Sequence, residues 1–300
     1  VRSTRSGNYG VPGDKRLMYR YIAVDCSSLL FGNAFKMKQL KANEVKTGAI
    51  FGFLRNLLFL AQYFHCNKFL FCWDGKGSDR KKIFPEYKNK RGKSRKEDKQ
   101  LEDIYQAVLV QSRQLKNEIL PQCGFNNHFA QEGKEADDLL ANIVTYHDGV
   151  LMVSNDEDMF QMLDLCDIWN NGKQRMWSER SFIKEYGITP IQWVDVKALG
   201  GCSSDDIPGI PGVAEKTAIK YLLGNLPVHH KTFTAIKNGK DIIERNYKLV
   251  RLPMDGTKYQ KIIPDTLNYD AFEKMCKKYW FNSFLENLSM DWENFFRGRV

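Results

Sequence analysis

Carboxylates dominate the residues of this 300-residue chain whose type and spacing could do chemistry. Asp25 closes the apolar run Tyr21-Ile-Ala-Val, Asp74 closes Phe69-Leu-Phe-Cys-Trp, and Asp156 follows Val150-Leu-Met-Val after two polar residues. Glu135, Asp137 and Asp138 crowd together, Asp158 forms an Asp-x-Asp pair with Asp156, and Asp205 and Asp206 adjoin. A single aspartate at a strand end is explained as a helix N-cap, and the helix dipole favours an acid or two in a first turn. Three strand ends of one kind beside Glu-x-Asp-Asp exceed those local roles. Should these segments converge, mutual repulsion would raise their pKa values or unfold the site unless divalent cations neutralise it. Oxygen donors with no His or Cys set are what Mg²⁺ or Mn²⁺ prefer. Two such ions about 3.5–4 Å apart suit phosphoryl transfer at a phosphodiester.

The elements that must position these acids follow from periodicity. Tyr21–Asp25, Phe69–Asp74 and Val150–Ser154 are continuous apolar runs, expected as strands buried on both faces. Helical spacing runs from Glu44 to Phe64, from Leu101 to Leu120 with Pro121 as its stop, and from Glu135 to Tyr146. Asn127–Ala130 is expected as a short strand, and Ile168-Trp169 and Arg175–Trp177 as an edge pair around Asn171-Gly172. After Ser178 the chain is expected to be mostly helical. Strands alternating with helices predict an α/β fold with a mostly parallel central sheet flanked by helices. In such sheets the carboxyl ends of the strands are the ligand-binding edge, which is where Asp25, Asp74 and Asp156 fall.

The net charge of +9 hides two opposed segments. Residues 76–100 hold eleven Lys or Arg against four acids, and residues 132–167 hold ten Asp or Glu against one Lys. That pairing suits a protein that attracts a polyanion while holding cations elsewhere. Hydrophobic residues at 43% and aromatics at 13% exclude global disorder. The most apolar stretch, Ile50–Phe64, is broken by Arg55 and Asn56 and is too short for a membrane span. Seven scattered cysteines without a Cys-x-x-Cys pair exclude a disulfide framework or zinc ribbon and point to a reducing, cytoplasmic compartment. The first twenty residues are a polar, basic tail without a signal-peptide run, and an initiator Met or longer N-terminus is expected before Val1.

Six motifs in order carry a resemblance: Ile22-Ala-Val-Asp25 followed by Ser27-Ser28, Phe71-Cys-Trp-Asp74, Pro85-Glu-Tyr-Lys-Asn-Lys-Arg91, Glu135-Ala-Asp-Asp138, Val153-Ser-Asn-Asp156-Glu-Asp158, and Asp205-Asp-Ile-Pro-Gly-Ile-Pro-Gly-Val-Ala-Glu-Lys216. From Tyr21 to Leu288 the chain resembles the bacteriophage 5′-nucleases, the flap endonuclease and phage RNase H group, and the 5′-nuclease domain of bacterial DNA polymerase I. The resemblance implies a PIN-like nuclease core over residues 21–186 and a helical arch within the basic segment 75–100. It further implies a helical duplex-binding region over 187–300, with a helix–three-turn–helix at about 198–223. It implies two Mg²⁺ or Mn²⁺ ions, the first held by Asp25, Asp74, Glu135 and Asp137, with Asp138, Asp156, Asp158 and Asp205 at or beside the second. In the arch, Lys88 would meet the scissile phosphate and Arg91 would clamp a neighbouring one, while Tyr87 would stack on an unpaired base or pack within the arch. Lys81, Lys82, Lys90, Lys93, Arg95 and Lys96 are expected as solvated charge. Gly209, Gly212 and Lys216 would grip duplex backbone, with a K⁺ ion held by main-chain carbonyls.

The function so implied is a structure-specific 5′-3′ exonuclease or flap endonuclease, with RNase H activity and RNA-primer or flap removal in replication as its natural setting. The substrate would be DNA or an RNA–DNA hybrid with a 5′ end or flap, met by a monomer beside a polymerase or single-strand-binding protein. The alternatives are a PIN-like RNase and a non-catalytic structure-specific DNA-binding protein with a degraded second metal site. Two positions depart from the family pattern Gly-Asp-x-Ser-Asp-Asn-Ile-Pro-Gly: Cys202 stands where an Asp is expected and Asp206 where an Asn is expected. A thiol is a poor Mg²⁺ ligand, so second-ion binding is expected to be weaker with catalysis retained. Cys202→Asp should therefore lower the Mg²⁺ concentration needed for cleavage, and an unchanged requirement in a Mg²⁺ titration would count against this.

Overall fold

The computed structural model describes residues 19–37, 39–42 and 45–300. Most of the expected basic tail, residues 1–18, lies outside them. Six strands form one sheet: β1 (Tyr21–Asp25), β2 (Phe69–Cys72), β3 (His128–Phe129), β4 (Val150–Val153), β5 (Asp167–Asn170) and β6 (Arg175–Trp177). Their spatial order is β3-β2-β1-β4-β5-β6. All neighbours are parallel except β6, which pairs antiparallel with β5 as the edge hairpin expected at Asn171-Gly172. The chain runs outward from β1 through β2 to β3, then returns to place β4 on the other side of β1. That reversal opens a crevice at the carboxyl ends of β1 and β4.

Helix α1 (Cys26–Lys36) leaves β1 directly and packs on α2 (Gly48–Phe64). Strands β2 and β4, and β1 up to Val24, are apolar because each face needs a partner. Ile22, Val24, Phe69, Phe71, Leu151 and Val153 face one cluster, while Ala23, Leu70, Cys72, Val150 and Met152 face the other. This is the two-residue alternation of a pleated strand with both faces covered.

The basic segment contains two helices, α3 (Asp79–Ile83) and α4 (Asn89–Glu97), and leads into α5 (Lys99–Gln114). Pro121 does not stop this helical stretch. A π turn at Leu115–Ile119 passes into a last turn, Leu120–Gln122, in which Pro121 sits at the start. The π turn ends with the Leu120 N–H donating to the Leu115 carbonyl, and the helix runs only one residue past Pro121.

Beyond β3, α6 (Ala136–Tyr146) lies on the second face of the sheet, followed by α7 (Glu179–Tyr186), α8 (Trp193–Gly200), α9 (Glu215–Leu222), α10 (Lys231–Asn238) and α11 (Lys240–Val250). The expectation of a mostly helical end fails for residues 251–268, which carry no helix. Pro253, Gly256 and Pro264 interrupt helical periodicity there. This strap is tied by hydrogen bonds from Asn127 Nδ2 to the Ile263 carbonyl (2.8 Å) and from the Met254 N–H to Asp138 Oδ1 (2.9 Å).

The chain ends in α12 (Tyr269–Lys278), α13 (Asn282–Leu285) and α14 (Ser289–Phe296), which return to the first face of the sheet. Phe281, Trp292, Phe295 and Phe296 are core there, while Trp280 is exposed. Phe272 stacks at 4.4 Å from Trp292 and 5.1 Å from Phe296. Truncating Phe272→Ala should cost about 3–5 kcal/mol, read as a lower urea midpoint with unchanged slope. A loss below about 1 kcal/mol would show these helices to be dispensable to the core.

Candidate active site

The register of the central strands fixes the first acids. Asp25 pairs with Cys72 across β1 and β2, so Asp74 lies two residues further on, and Val24 pairs with Val153, three residues before Asp156. Each acid spends one oxygen on a backbone N–H. Asp25 Oδ1 caps α1 through Ser28 N at 2.9 Å, Asp74 Oδ1 accepts from Ala136 N at 3.0 Å, and Asp156 Oδ1 accepts from Asp158 N at 2.8 Å. Capping and site-building are therefore the same contacts. Because Asp74 receives the first N–H of α6, it brings Glu135 and Asp137 of that helix start to the sheet edge.

The basic segment bends down onto this edge. At its base Arg80, 3% exposed, makes a fork to Asp138 at 2.7 and 2.8 Å and donates through Nε to the Leu249 carbonyl of α11 at 2.8 Å. Asp138 also accepts from the N–H groups of Glu135 and Met254, so both of its oxygens are taken. The structure thus gives Asp138 the Arg80 guanidinium as its partner in place of a metal ion. Burial works against its ionisation, yet the Arg80 fork holds the carboxyl below its ordinary value.

Lys88 adopts a left-handed backbone, φ +56°, and its N–H donates to the Asp205 carbonyl at 2.9 Å. Its ammonium reaches Glu135 Oε2 at 2.6 Å and Asp205 Oδ2 at 3.8 Å. Burial opposes the Lys88 charge, but Glu135 and Asp205 raise its pKa above the ordinary lysine value. The Tyr87 ring is 2% exposed and its hydroxyl lies 3.0 Å from Glu135 and 3.1 Å from Asp205. In this arrangement the ring packs within the fold and is not presented for stacking on a base. Lys81, Lys82, Lys90 and Lys96 are exposed, as expected of solvated charge, and Arg95 is half-buried against Tyr105. Arg91 lies in α4, with its side chain outside the described residues, as is that of Lys93.

Opposite the arch, Gly201–Cys202 and Ile207–Pro208 form a two-stranded hairpin between α8 and α9. A Cβ on Gly209 would meet the Gly200 carbonyl carbon at 2.2 Å, so this glycine is needed for backbone packing within the turn. Gly212 has φ +77°, and Lys216 is exposed in the first turn of α9. Asp206, at φ +60°, accepts from Lys90 N at 2.7 Å and pairs with its ammonium at 3.3 Å, which ties it to the arch. Asp158, Cys202 and Asp205 instead converge, with one ligand atom from each lying within 4.8 Å of the others. Lys197 of α8 pairs with Asp158 at 2.9 Å.

This set fits divalent cations. Asp137 Oδ1 is buried with no hydrogen-bond partner, and the donors are oxygens with one sulfur. Arg80, one of four basic residues between 76 and 82, was not singled out as a site residue from sequence, and neither was the pairing of Lys197 with Asp158, since Lys197 lies on a helix buried on most sides.

A family description, the 5′-3′ exonuclease N-terminal resolvase-like domain, matches residues 20–187. The chain belongs to the 5′-3′ exonuclease family. A 5′-3′ exonuclease of Buchnera aphidicola subsp. Schizaphis graminum is 31% identical over 245 residues, covering 79% of this chain and 77% of that protein. The T5 5′-exonuclease solved with zinc superposes with a TM-score of 0.66 at 22% identity, over 78% of this chain and 90% of that one. The bacteriophage T5 flap endonuclease in a pseudo-enzyme-product complex with DNA and metal ions gives 0.64 at 22%, over 78% and 89%. The superpositions show that this chain, with its mostly parallel six-stranded sheet, shares the α/β fold of the T5 5′-exonuclease.

In this 5′-nuclease the crowding of acids has an electrostatic signature. Burial first, then the Asp74 charge, pushes the Asp25 carboxyl up to about 7. Burial and Asp158 push Asp156 up to about 6, and burial with Asp156 and Asp25 raises Asp137 well above its ordinary value. Glu135 is held low despite burial because Lys88 and Arg80 face it. For an acid whose folded-state pKa is raised, the stabilisation is complete below the unfolded value of 3.8 and is lost as pH climbs through 6 and 7. The lowered acids, Glu135 and Asp138, lose their contribution only on the acidic side of 4.5 and 3.8. In chelator, the urea midpoint should therefore fall between about pH 5 and about pH 8, and excess divalent ion should flatten that slope. A midpoint that rises across this window without metal would contradict the convergence of the acids.

Proposed function

We propose that this 5′-nuclease hydrolyses phosphodiesters at a 5′ end or flap of DNA, or in the RNA of an RNA–DNA hybrid, with two divalent ions, Mg²⁺ or Mn²⁺ at least at the first position. The observation that carries the reading is the meeting of Asp25, Asp74, Glu135, Asp137 and Asp156 at one sheet edge beneath the Lys88 ammonium. The T5 flap endonuclease bound to DNA and metal ions supports both the substrate and the ions.

Asp25, Asp74, Glu135 and Asp137 would hold the first ion, and Asp156, Asp158, Asp205 and Cys202 the second. Bound there, the ions supply activation of the attacking water and neutralise charge at the leaving oxygen. Lys88 stands where it can offset charge building on the phosphate, and Arg91, on the first turn of α4, would clamp a neighbouring phosphate with its fork. Tyr87 orients the site from inside by bridging Glu135 and Asp205. Its buried ring gives the arch a fixed base. On the hairpin side, the exposed Lys216 and the open turn at Gly212 would meet duplex phosphates, with a K⁺ ion as a further ligand of the turn. Gly209 permits that turn by its close packing. Removal of RNA primers or flaps during replication, by a monomer in the cytoplasm, is the setting these parts suit.

Mg²⁺-dependent cleavage of an end-labelled flap, compared with matched single-stranded and nicked substrates, tests the proposal. Asp74→Asn and Asp156→Asn should abolish cleavage with DNA binding close to wild type. Lys88→Ala should lower kcat by about 10²–10³-fold. Full activity in either aspartate variant would sink the metal assignment. Cleavage of single-stranded RNA without duplex dependence would favour a PIN-like RNase instead.

A further inference from the structure

The second cation position of this chain is not an all-oxygen site. Cys202 and Asp205 are 92–93% buried, and their ligand atoms come within 4.8 Å of each other and of Asp158. Cys202 is held in the hairpin by its pairing with Ile207, and Ser204 Oγ sits 3.0 Å from Sγ as a polar neighbour. The other acid of the Asp205-Asp206 pair does not replace a missing carboxylate, because Lys90 engages it from two atoms. Asp158 in turn shares its charge with Lys197 at 2.9 Å.

Mg²⁺ demands near-octahedral oxygen coordination and gains little from such a set. One sulfur and two carboxylates are the donor types that a four-coordinate, borderline-soft cation accepts, at a metal–sulfur distance of about 2.3 Å and metal–oxygen distances of about 2.0–2.2 Å. Soft thiolate donors shift preference toward zinc-class ions even where carboxylates remain.

We propose that Asp158, Cys202 and Asp205 form a mixed thiolate–carboxylate site that takes a thiophilic divalent ion of the zinc class in preference to Mg²⁺. The inference rests on the reading that the acidic cluster holds cations, and it gives the two positions different metal preferences. On binding, the Cys202 S–H proton passes to solvent as the sulfur–metal bond forms, with no change of oxidation state. The remaining acids, Asp25, Asp74, Glu135 and Asp137, keep oxygen donors suited to Mg²⁺ or Mn²⁺.

The test uses the full chain, stripped of metal, with Co²⁺ as the spectroscopic probe. Titration should produce a near-ultraviolet sulfur-to-cobalt charge-transfer band. Zn²⁺ should bleach it at stoichiometric addition, while Mg²⁺ in about hundredfold excess should leave it. Cys202→Ser should remove the band and weaken Zn²⁺ binding by at least about tenfold; Cys202→Asp should remove it and strengthen Mg²⁺ binding. The wild-type bleaching experiment does not depend on either variant folding. Calorimetric titration of the wild type with Mn²⁺ reads the oxygen-only position in parallel. Cobalt binding without a sulfur band, a band that survives in Cys202→Ser, or a band displaced by Mg²⁺ would overturn the inference and leave the proposed function standing. Absence of binding by any divalent ion would overturn both.

Discussion

Asp25, Asp74 and Asp156 reach one edge of the sheet because parallel strands end there in near register, Asp137 joins them from the first turn of α6, and each carboxylate raises the cost of ionising the next. Much of the surrounding structure answers that accumulation of negative charge. Lys88 and Tyr87 come down on Glu135 and Asp205, Lys197 comes up to Asp158, and backbone N–H groups take one oxygen each from Asp25, Asp74 and Asp156. Protein cations and caps offset part of the repulsion. The raised carboxyls of Asp25, Asp137 and Asp156 mark what they leave uncompensated, and it is this remainder that divalent ions are suited to neutralise.

Arg80 and Asp138 show the same economy applied to architecture. Their fork is buried, and each remaining hydrogen-bonding position on Asp138 is filled by backbone, from Glu135 and from the strap at Met254. A buried ion pair is tolerable when it is satisfied in this way. It fastens the start of the arch to α6, while Arg80 Nε fastens it to α11. An acid that stands beside the site in sequence therefore serves to hold the arch over the site.

The central sheet was legible in the chain because strands buried on both faces must be apolar, and Tyr21–Val24, Phe69–Cys72 and Val150–Val153 are. The acids at their ends were legible because strand ends are where α/β sheets bind ligands. Less was readable where roles depend on distant partners. Nothing local separates Arg80 from Lys81 and Lys82, yet one is buried and the others are solvated. Asp137 and Asp138 are adjacent, and helical geometry sends one toward Asp25 and Asp156 and the other to Arg80. The strap at residues 251–268 has neither period, since its partners are Asn126, Asn127 and Asp138 across the molecule.

Helix α11 touches both halves of the proposed substrate path. Asn246 donates to the carbonyls of Ala198 and Pro208 on the hairpin side, and the Leu249 carbonyl, one turn later, receives Arg80 from the arch. Less than one turn of helix thus separates the anchor of the hairpin from the anchor of the arch, and a helix of this kind rises about 1.5 Å per residue. The span between the hairpin and the arch is consequently set by rigid backbone. α11 works as a ruler, holding the two at a fixed separation.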